Sequence, residues 1–330
     1  MQKWEFIIGV DVSKKTLDVY CPQRGEHLQI ENGKSGFRQL QKWIKAYNID
    51  MKNCIVAMEY TGGYEYQLLQ FCESRQIPYV RIPGLAIKRS LGIIRGKNDM
   101  VDSMRIAQYV EEKYKLIEPS KPLNKKIIAL KELLSFRKRC VRESAGYKAT
   151  LKERKHIYPE IKGDFISKEL ERKIKENKKV LQRVEAQIMA LIDSDEAIKT
   201  NYSLLVSIKG IGKINALMTI AYTENFTAFT DGRCYAVYAG VIPFDNSSGT
   251  SIKGRKHVSY LANKEVKQEL TQAAKSAMMH DEEIKDYADK KLKEKAYGIV
   301  INNIKFKLIL RMFAVVKRQT IYVSNFRSAA

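Results

Sequence analysis

The decisive stretch is Phe6-Ile-Ile-Gly-Val-Asp-Val12, a short apolar run that carries an acid near its end. An uninterrupted apolar run of this length is typical of a strand buried within a sheet. The sequence therefore predicts a strand over residues 6–12, with Asp11 at its end.

The following residues predict the rest of a mixed α/β sheet. Residues 17–20 and 28–31 have the pattern of the next two strands of a meander, and 35–47 has helical spacing. Residues 53–59 form a second apolar run that ends in an acid, Glu59. A helix over 64–75, a strand over 78–82 and a helix over 99–114 follow. Three strands, a helix and then alternating strands and helices indicate a mixed sheet.

The second half of the chain is predicted to be mainly helical. After a linker at 119–122, residues 124–195 are rich in Lys, Glu, Leu and Ile and poor in Gly and Pro. They predict two long helices, as an antiparallel hairpin or coiled coil. A third region begins near residue 200, with a looped insert over 244–256. We therefore predict three domains, 1–118, 119–198 and 199–330.

The charge of the chain favours a nucleic-acid partner. The 330 residues carry a formal net charge of +22, and the lysines fall in runs. A polyanion explains such an excess because each neutralised phosphate releases counterions. A solvated basic surface that serves only solubility is the alternative.

Other features of the composition favour the cytoplasm. The five cysteines are widely spaced and form no Cys-x-x-Cys, which argues against a zinc site or a disulfide framework. No secretory signal is visible at the N-terminus. The apolar segment 299–316 contains Lys305, Lys307 and Arg311, which disfavour a membrane span.

Four acids are spaced so that they can meet at one edge of the sheet. Asp11 and Glu59 end strands, and Asp99 and Asp102 share one face of a helix. Such a cluster repels itself unless a divalent cation fills it, and Mg²⁺ leaves room for a substrate phosphate. Taken singly, Asp99 is an ordinary helix N-terminal acid and Asp102 a solvated one. The Gly-x-Asp-x-Ser pattern around Asp11 also fits sugar kinases and actin-like ATPases.

A glycine turn in the second half has the pattern of a helix-hairpin-helix element. Gly210 and Gly212 would let the backbone approach a phosphate, and the next helix N-terminus would offer amide donors. Lys209 and Lys213 add charge. A purely structural turn between two helices is an equally good interpretation.

A serine-rich stretch follows at residues 247–256. Ser247, Ser248 and Ser251 stand beside glycines and bases, and a serine becomes a nucleophile only where a base or a positive field activates it. From the residues alone, this stretch is more typical of a flexible polar loop. The bases that follow the serines are candidate nucleic-acid contacts: Lys253, Arg255 and Lys256.

Three motifs resemble those of the DEDD transposases of insertion sequences, the IS110 family. They are Ile8-Gly-Val-Asp-Val-Ser-Lys14, Met58-Glu-Tyr-Thr-Gly-Gly-Tyr64 and Lys97-Asn-Asp-Met-Val-Asp-Ser-Met-Arg-Ile-Ala107. That family includes the pilin-gene invertases and the bridge-RNA-guided recombinases. The resemblance implies an N-terminal domain with a ribonuclease H-like fold of the Holliday-junction-resolvase type. It also implies that Mg²⁺, for which Mn²⁺ can substitute, is held by Asp11, Glu59, Asp99 and Asp102.

The resemblance extends to the C-terminal transposase domain. Ala239-Gly-Val-Ile-Pro243 and Ser248-Gly249 match its motifs and imply that Ser248 is the nucleophile, with Ser247 and Ser251 as alternatives. Three positions depart from the family pattern. Lys209 replaces a proline, Ala262 replaces a glycine that could adopt a positive φ, and Lys267 replaces an arginine that could bind phosphate with two donors.

The resemblance implies a transposase or site-specific recombinase that cuts and rejoins DNA through a 5′-phosphoserine intermediate. It further implies a guide RNA and a location in the nucleoid of a bacterium or archaeon. Because the acids and the serine lie in different predicted domains, we expect an active site shared between protomers, in a dimer that assembles into a tetramer on DNA. The alternative function is a metal-dependent, structure-specific DNA nuclease that resembles a junction resolvase and uses water as the nucleophile. A nucleic-acid-binding protein without catalysis is a further alternative.

Overall fold

The computed structural model describes residues 4–60, 62–90, 99–161, 163–248 and 252–323. At 245–248, 252, 253, 255 and 256 it describes the backbone alone. The chain folds as two compact units, Met1–Leu123 and Asn124–Ala330. The domain boundaries that the sequence suggests at 118 and 198 stay predictions.

The first unit contains the mixed five-stranded sheet that the sequence predicts. Its order is β3-β2-β1-β4-β5, in which β1, β2 and β3 are antiparallel neighbours and β4 and β5 continue parallel to β1. The strands are β1 (Phe6–Val12), β2 (Thr16–Cys21), β3 (Glu26–Glu31), β4 (Cys54–Glu59) and β5 (Tyr79–Ile82).

Helices cover both faces of this sheet. They are α1 (Lys34–Ala46), α2 (Tyr66–Ser74), α3 (Gly84–Ser90) and α4 (Asp99–Lys113). Ile8 of β1 packs with Leu40 of α1 in one core, whereas Ile7 packs with Ile106 of α4 in another. Because successive side chains of a strand alternate between faces, Asp11 lies on the same face as Ile7, the face that α4 covers.

The second unit begins with the two long helices that the sequence predicts, α5 (Lys125–Ile157) and α6 (Phe165–Asp193). Their ion pairs show that they run antiparallel. Arg137 pairs with Glu185 at 2.8 Å, and nearer the connecting loop Lys155 lies 3.6 Å from Glu171. A supercoil between them stays a prediction.

Six further helices follow in the part of this unit that the structure describes. They are α7 (Glu196–Val206), α8 (Lys213–Tyr222), α9 (Gly232–Tyr238), α10 (Lys264–His280), α11 (Glu282–Leu292) and α12 (Tyr297–Arg318). Leu205, Tyr235 and Ile304 are buried in one core, which also contains Leu130 of α5. Over the described residues, no helix combines the length and the apolarity that crossing a membrane requires.

The looped insert expected over 244–256 is wrong, because the chain there forms a two-stranded antiparallel ribbon. Strand β6 (Pro243–Ser248) pairs with β7 (Ile252–Val258), and Ser248 lies opposite Ile252 in the register. A polar composition suggested a loop, but backbone pairing across a turn satisfies peptide groups whatever the side chains are. An irregularity in the register lies between Phe244 and Asn246. Ser251 lies outside the described residues.

Candidate functional site

Gly9 sets the distance between the first strand and the helix that carries two of the four acids. A Cβ added at Gly9 would lie 2.6 Å from the backbone nitrogen of Ala107, and closer still to the carbonyl oxygen of Ser103. Both residues belong to α4 and are fully buried. Glycine therefore lets α4 pack directly on β1, which places the first turn of α4 near the end of that strand.

The parallel pairing of β1 and β4 places Asp11 and Glu59 side by side. Val10 pairs with Met58, and each acid follows its member of this pair by one residue. Glu59 lies over the start of α3, where a Cβ at Gly84 would be 2.5 Å from the Glu59 carboxyl carbon. Gly84 thus leaves room for that carboxylate.

The four acids influence one another electrostatically. Burial raises the pKa of Asp11 to about 6, from an ordinary value of 3.8. Neighbouring carboxylates contribute to the increase, because a second negative charge disfavours ionisation. In decreasing order they are Asp102, Asp99, Asp18 and Glu59. The fold therefore brings the other three predicted acids close enough to Asp11 for their charges to affect its pKa.

One further acid in this region, Asp18, is not among the four predicted from the sequence. Asp18 lies directly opposite Asp11 in the β1–β2 register and is 4% exposed. Its Oδ1 is 3.0 Å from Nε2 of His27, and the Gln29 amide donates to both carboxylate oxygens at 3.2 Å. The signal was available, because Asp18 interrupts an apolar strand as Asp11 does.

Asp102 has a partner of opposite charge within its own helix. The Arg105 guanidinium donates to Asp102 Oδ1 at 2.8 Å, and both side chains are largely buried. Asp99 is exposed at the start of α4. The residues just before it, Lys97 and Asn98, belong to the predicted motif but lie outside the described residues.

The acids fit a hard divalent cation by charge and by ligand type. Among the described residues, no three His, Cys, Asp or Glu side chains are close enough to share one ion. Mg²⁺, however, usually takes one or two carboxylates and completes its shell with water and substrate phosphate. Carboxylates that disfavour the ionisation of Asp11 are a suitable set for such an ion, since its charge would offset their repulsion.

The predicted nucleophile is carried by the hairpin of the second unit. Ser248 is the last residue of β6, and Ser247 pairs with Lys253 of β7. The predicted contacts Arg255 and Lys256 also belong to β7. This strand pairing places Ser247 and Ser248 at the turn end of the ribbon together with Lys253, whereas Arg255 and Lys256 lie further along β7.

The two glycines of the predicted helix-hairpin-helix turn differ in their surroundings. Gly210 has a φ of +93°, and a Cβ there would lie 2.6 Å from Cβ of Ala277 in α10. Gly212 caps the N-terminus of α8 with a φ of −82°, and a Cβ there would meet open space. Lys209 and Lys213 are exposed beside it. Gly210 is thus required by packing, whereas Gly212 and the two lysines remain accessible.

Ala262 replaces a glycine of the family pattern, but its φ is not positive, so alanine is not strained there. The left-handed residue in this region is Gly240, with a φ of +65°. A Cβ at Gly240 would collide with that of Ala262. The glycine that this contact requires is therefore Gly240, just before the hairpin.

Family models define the class of protein to which these two units belong. A model described as a transposase matches residues 8–154. A second, described as a transposase of the IS116/IS110/IS902 family, matches residues 202–289. The first contains all four acids and the second contains Ser248. The chain is thus a transposase, an enzyme that recombines DNA.

The chain belongs to the IS110 family of transposases. The pilin gene-inverting proteins of Moraxella lacunata and Moraxella bovis are each 26% identical to it over 269 residues, which cover 80% of both chains. An uncharacterized 43.6 kDa protein of insertion element IS110 from Streptomyces coelicolor is 28% identical over 143 residues. These cover 43% of this chain and 34% of that protein.

Proposed function

We propose that this transposase cuts and rejoins DNA in two transesterifications, with Ser248 as the nucleophile and metal held by the four acids. The observation that carries the proposal is the set of carboxylates around Asp11, which together with its burial raise the pKa of Asp11 to about 6 and could supply oxygen ligands for a cation. Bound there, Mg²⁺ would stabilise charge that develops on the phosphate and on the departing oxygen.

The serine supplies the covalent chemistry. In the first step the Ser248 hydroxyl attacks phosphorus, loses its proton, and the bond from phosphorus to the 3′ oxygen breaks. The 3′ oxygen leaves as a hydroxyl, and the 5′ phosphate remains esterified to the serine. A 3′-hydroxyl of another strand then attacks the same phosphorus and releases the serine hydroxyl. The bases of β7 favour this sequence because positive charge stabilises the oxyanion.

The strand order supports the proposed fold of the first unit. An antiparallel β3-β2-β1 meander continued by parallel β4 and β5 is the order expected for a ribonuclease H-like sheet. In that arrangement Asp11 lies on the central strand and Glu59 on its neighbour. We therefore propose that the unit is ribonuclease H-like and that its carboxylates serve phosphoryl transfer.

A covalent adduct tests the proposal against the alternative of a nuclease that uses water. Wild-type protein given a nicked suicide substrate should accumulate a protein–DNA adduct that survives denaturant, with phosphate on Ser248. Ser248→Ala should form no adduct and cut no DNA, and Ser247→Ala serves as the matched control from the same strand. If Ser248→Ala cuts DNA at nearly the wild-type rate, water is the nucleophile and the resolvase-like reaction is correct.

We also propose that a guide RNA and a higher assembly belong to the functional complex. The net charge of +22 suits more than one polyanion. The acids and Ser248 belong to different compact units, which favours a dimer that assembles into a tetramer on DNA. Protein purified from its host and washed at high salt should retain one defined RNA. Recovery of only heterogeneous RNA would contradict the guide, and light scattering with and without DNA reports the assembly.

A further inference from the structure

Lys305 is a buried base without a counter-charge. It lies on α12 with 5% of its surface exposed, among core residues such as Ile304 and Leu308. None of the described residues gives its ammonium a hydrogen bond or an ion pair, and Nζ itself is not fully enclosed. Burial of the rest of the side chain still makes the unpaired ammonium costly, because it removes part of the water around the charge.

The neighbouring bases of the same helix are satisfied inside the protein. Lys307 lies over the ring of Tyr287, with its Nζ 4.6 Å from the ring centroid. The Arg311 guanidinium donates to Asp281 at 2.8 Å and to Glu283 at 2.7 Å. Lys305 is therefore an exception on α12.

The charge that acts on Lys305 is a second lysine. Burial lowers the pKa of Lys305 to about 8, and the positive charge of Lys267 on α10 lowers it as well. Lys267 is half-buried and likewise has no acceptor for its ammonium among the described residues. The nearby acid Glu265 pairs instead with Lys138 at 3.2 Å. Two unneutralised cations thus face the same region.

Both lysines lie near the residues that lead into the hairpin that carries Ser248. A Cβ at Gly240 would lie 3.7 Å from Cδ of Lys267. The Asn302 side chain donates to the carbonyl of Val241, and Lys305 follows Asn302 by three residues on the same helical face. Gly240 and Val241 lie just before β6, which begins at Pro243. At about 3.3 Å per residue, Ser248 lies at most roughly 23 Å along the chain from Val241.

We propose that Lys305 and Lys267 together bind a phosphodiester oxyanion of the DNA strand that the β6–β7 hairpin engages. A phosphate would supply the negative charge that neither ammonium group receives from the described residues. Along duplex DNA, roughly 23 Å corresponds to about seven phosphates of one strand at about 3.4 Å each. The pair would therefore hold the backbone a few nucleotides from the proposed cut. This inference rests on the proposed function, since it assumes that the hairpin acts on DNA.

The test compares the stability of variants with their affinity for DNA. Full-length Lys305→Met should unfold at a higher temperature than wild type without DNA, because it removes an unpaired buried charge. It should nevertheless bind a random-sequence duplex less tightly, and its plot of log affinity against log salt should be less steep by about 1. Lys267→Met should lose a similar slope, and the double variant should lose little more because both lysines share one phosphate. Lys305→Arg should restore the slope.

Lys307→Met is the matched control from the same helix and should leave the slope nearly unchanged. A slope for Lys305→Met equal to wild type would overturn the proposal and leave Lys305 a structural lysine. If inorganic phosphate raises the melting temperature of wild type but not of Lys305→Met while DNA affinity is equal, the site takes free phosphate and the DNA assignment is wrong. Failure of wild type itself to bind DNA would count against the proposed function instead.

Discussion

The end of β1 and the base of the β6–β7 hairpin carry charges of opposite sign, and the described residues give neither Asp11 nor Lys305 a partner of opposite charge. Burial and neighbouring acids raise the pKa of Asp11, whereas burial and a neighbouring base lower the pKa of Lys305. Other charged side chains are paired, as Arg311 is with Asp281. The contrast supports the proposals that these two regions bind ligands of opposite charge.

Each region is stabilised by a ligand of the opposite charge. A group of carboxylates is stabilised by a cation, and a pair of ammonium groups by an anion such as a phosphate. Strongly perturbed pKa values at such clusters are characteristic of functional sites, and the unfavourable charge is tolerated because binding offsets it. Neutralising one region at a time therefore tests whether each region binds its proposed ligand.

The largest effect is expected from Asp11→Asn, which keeps the shape of the side chain and removes its charge. Loss of electrostatic stabilisation of this kind costs about a hundred- to a thousandfold in rate, so DNA cleavage should fall by about that factor. Calorimetry should show weaker Mg²⁺ binding for the variant. Normal recombination by Asp11→Asn would contradict the assignment of the acids.

The same substitution should change the pH dependence of stability in a defined direction. Because the pKa of Asp11 is about 6 in the fold and about 3.8 when unfolded, folded wild type binds the extra proton between these values. Its stability without metal should therefore fall as the pH rises from 4 to 6. Asp11→Asn should match wild type near pH 4 and exceed it above pH 6, as measured by thermal unfolding. Mg²⁺ should then stabilise wild type alone.

A smaller effect is expected at Gly9, which lets the acid-bearing helix reach the sheet. In Gly9→Ala the new Cβ would meet the backbone of α4 at Ser103 and Ala107, and such overpacking costs about 1–3 kcal/mol. Because α4 carries Asp99 and Asp102, cleavage should fall together with the melting temperature. Gly33→Ala is the control, since no atom lies within 3.8 Å of its added Cβ. Equal behaviour of the two variants would show that the spacing of β1 and α4 does not position the acids.

The sequence predicts one region much better than the other. Strand β1 is found residue for residue because an apolar run with a boundary on each side has few other structures. Ribbon β6–β7 is missed because its stability comes from backbone pairing, which composition does not reveal. The four acids are recognised by motif, but Asp18 gains meaning only from its register opposite Asp11.

The surroundings of Lys305 likewise cannot be predicted from the sequence. In the sequence it is an ordinary base that interrupts an apolar helix. Its burial and its proximity to Lys267 depend on how α10 and α12 pack, and those helices are separated by many residues. Similarly, no local pattern tells that Gly240 rather than residue 262 adopts the positive φ. Long-range packing, not local propensity, decides these features.

The smallest effect is expected in the turn at residues 207–212, for which the sequence favours a structural role and a binding role equally. Gly210→Ala should cost roughly 1–3 kcal/mol, because alanine is strained at a φ of +93° and its Cβ would meet Ala277. Gly212→Ala should change stability by only a few tenths of a kcal/mol, since its φ is ordinary and its surroundings are open. If the amides at the start of α8 approach a phosphate, the methyl group should still weaken DNA binding a few-fold, measured at fixed salt. Equal DNA affinity of Gly212→Ala and wild type would show that the turn serves packing alone, and the phosphate contacts of this unit would then have to lie nearer the hairpin.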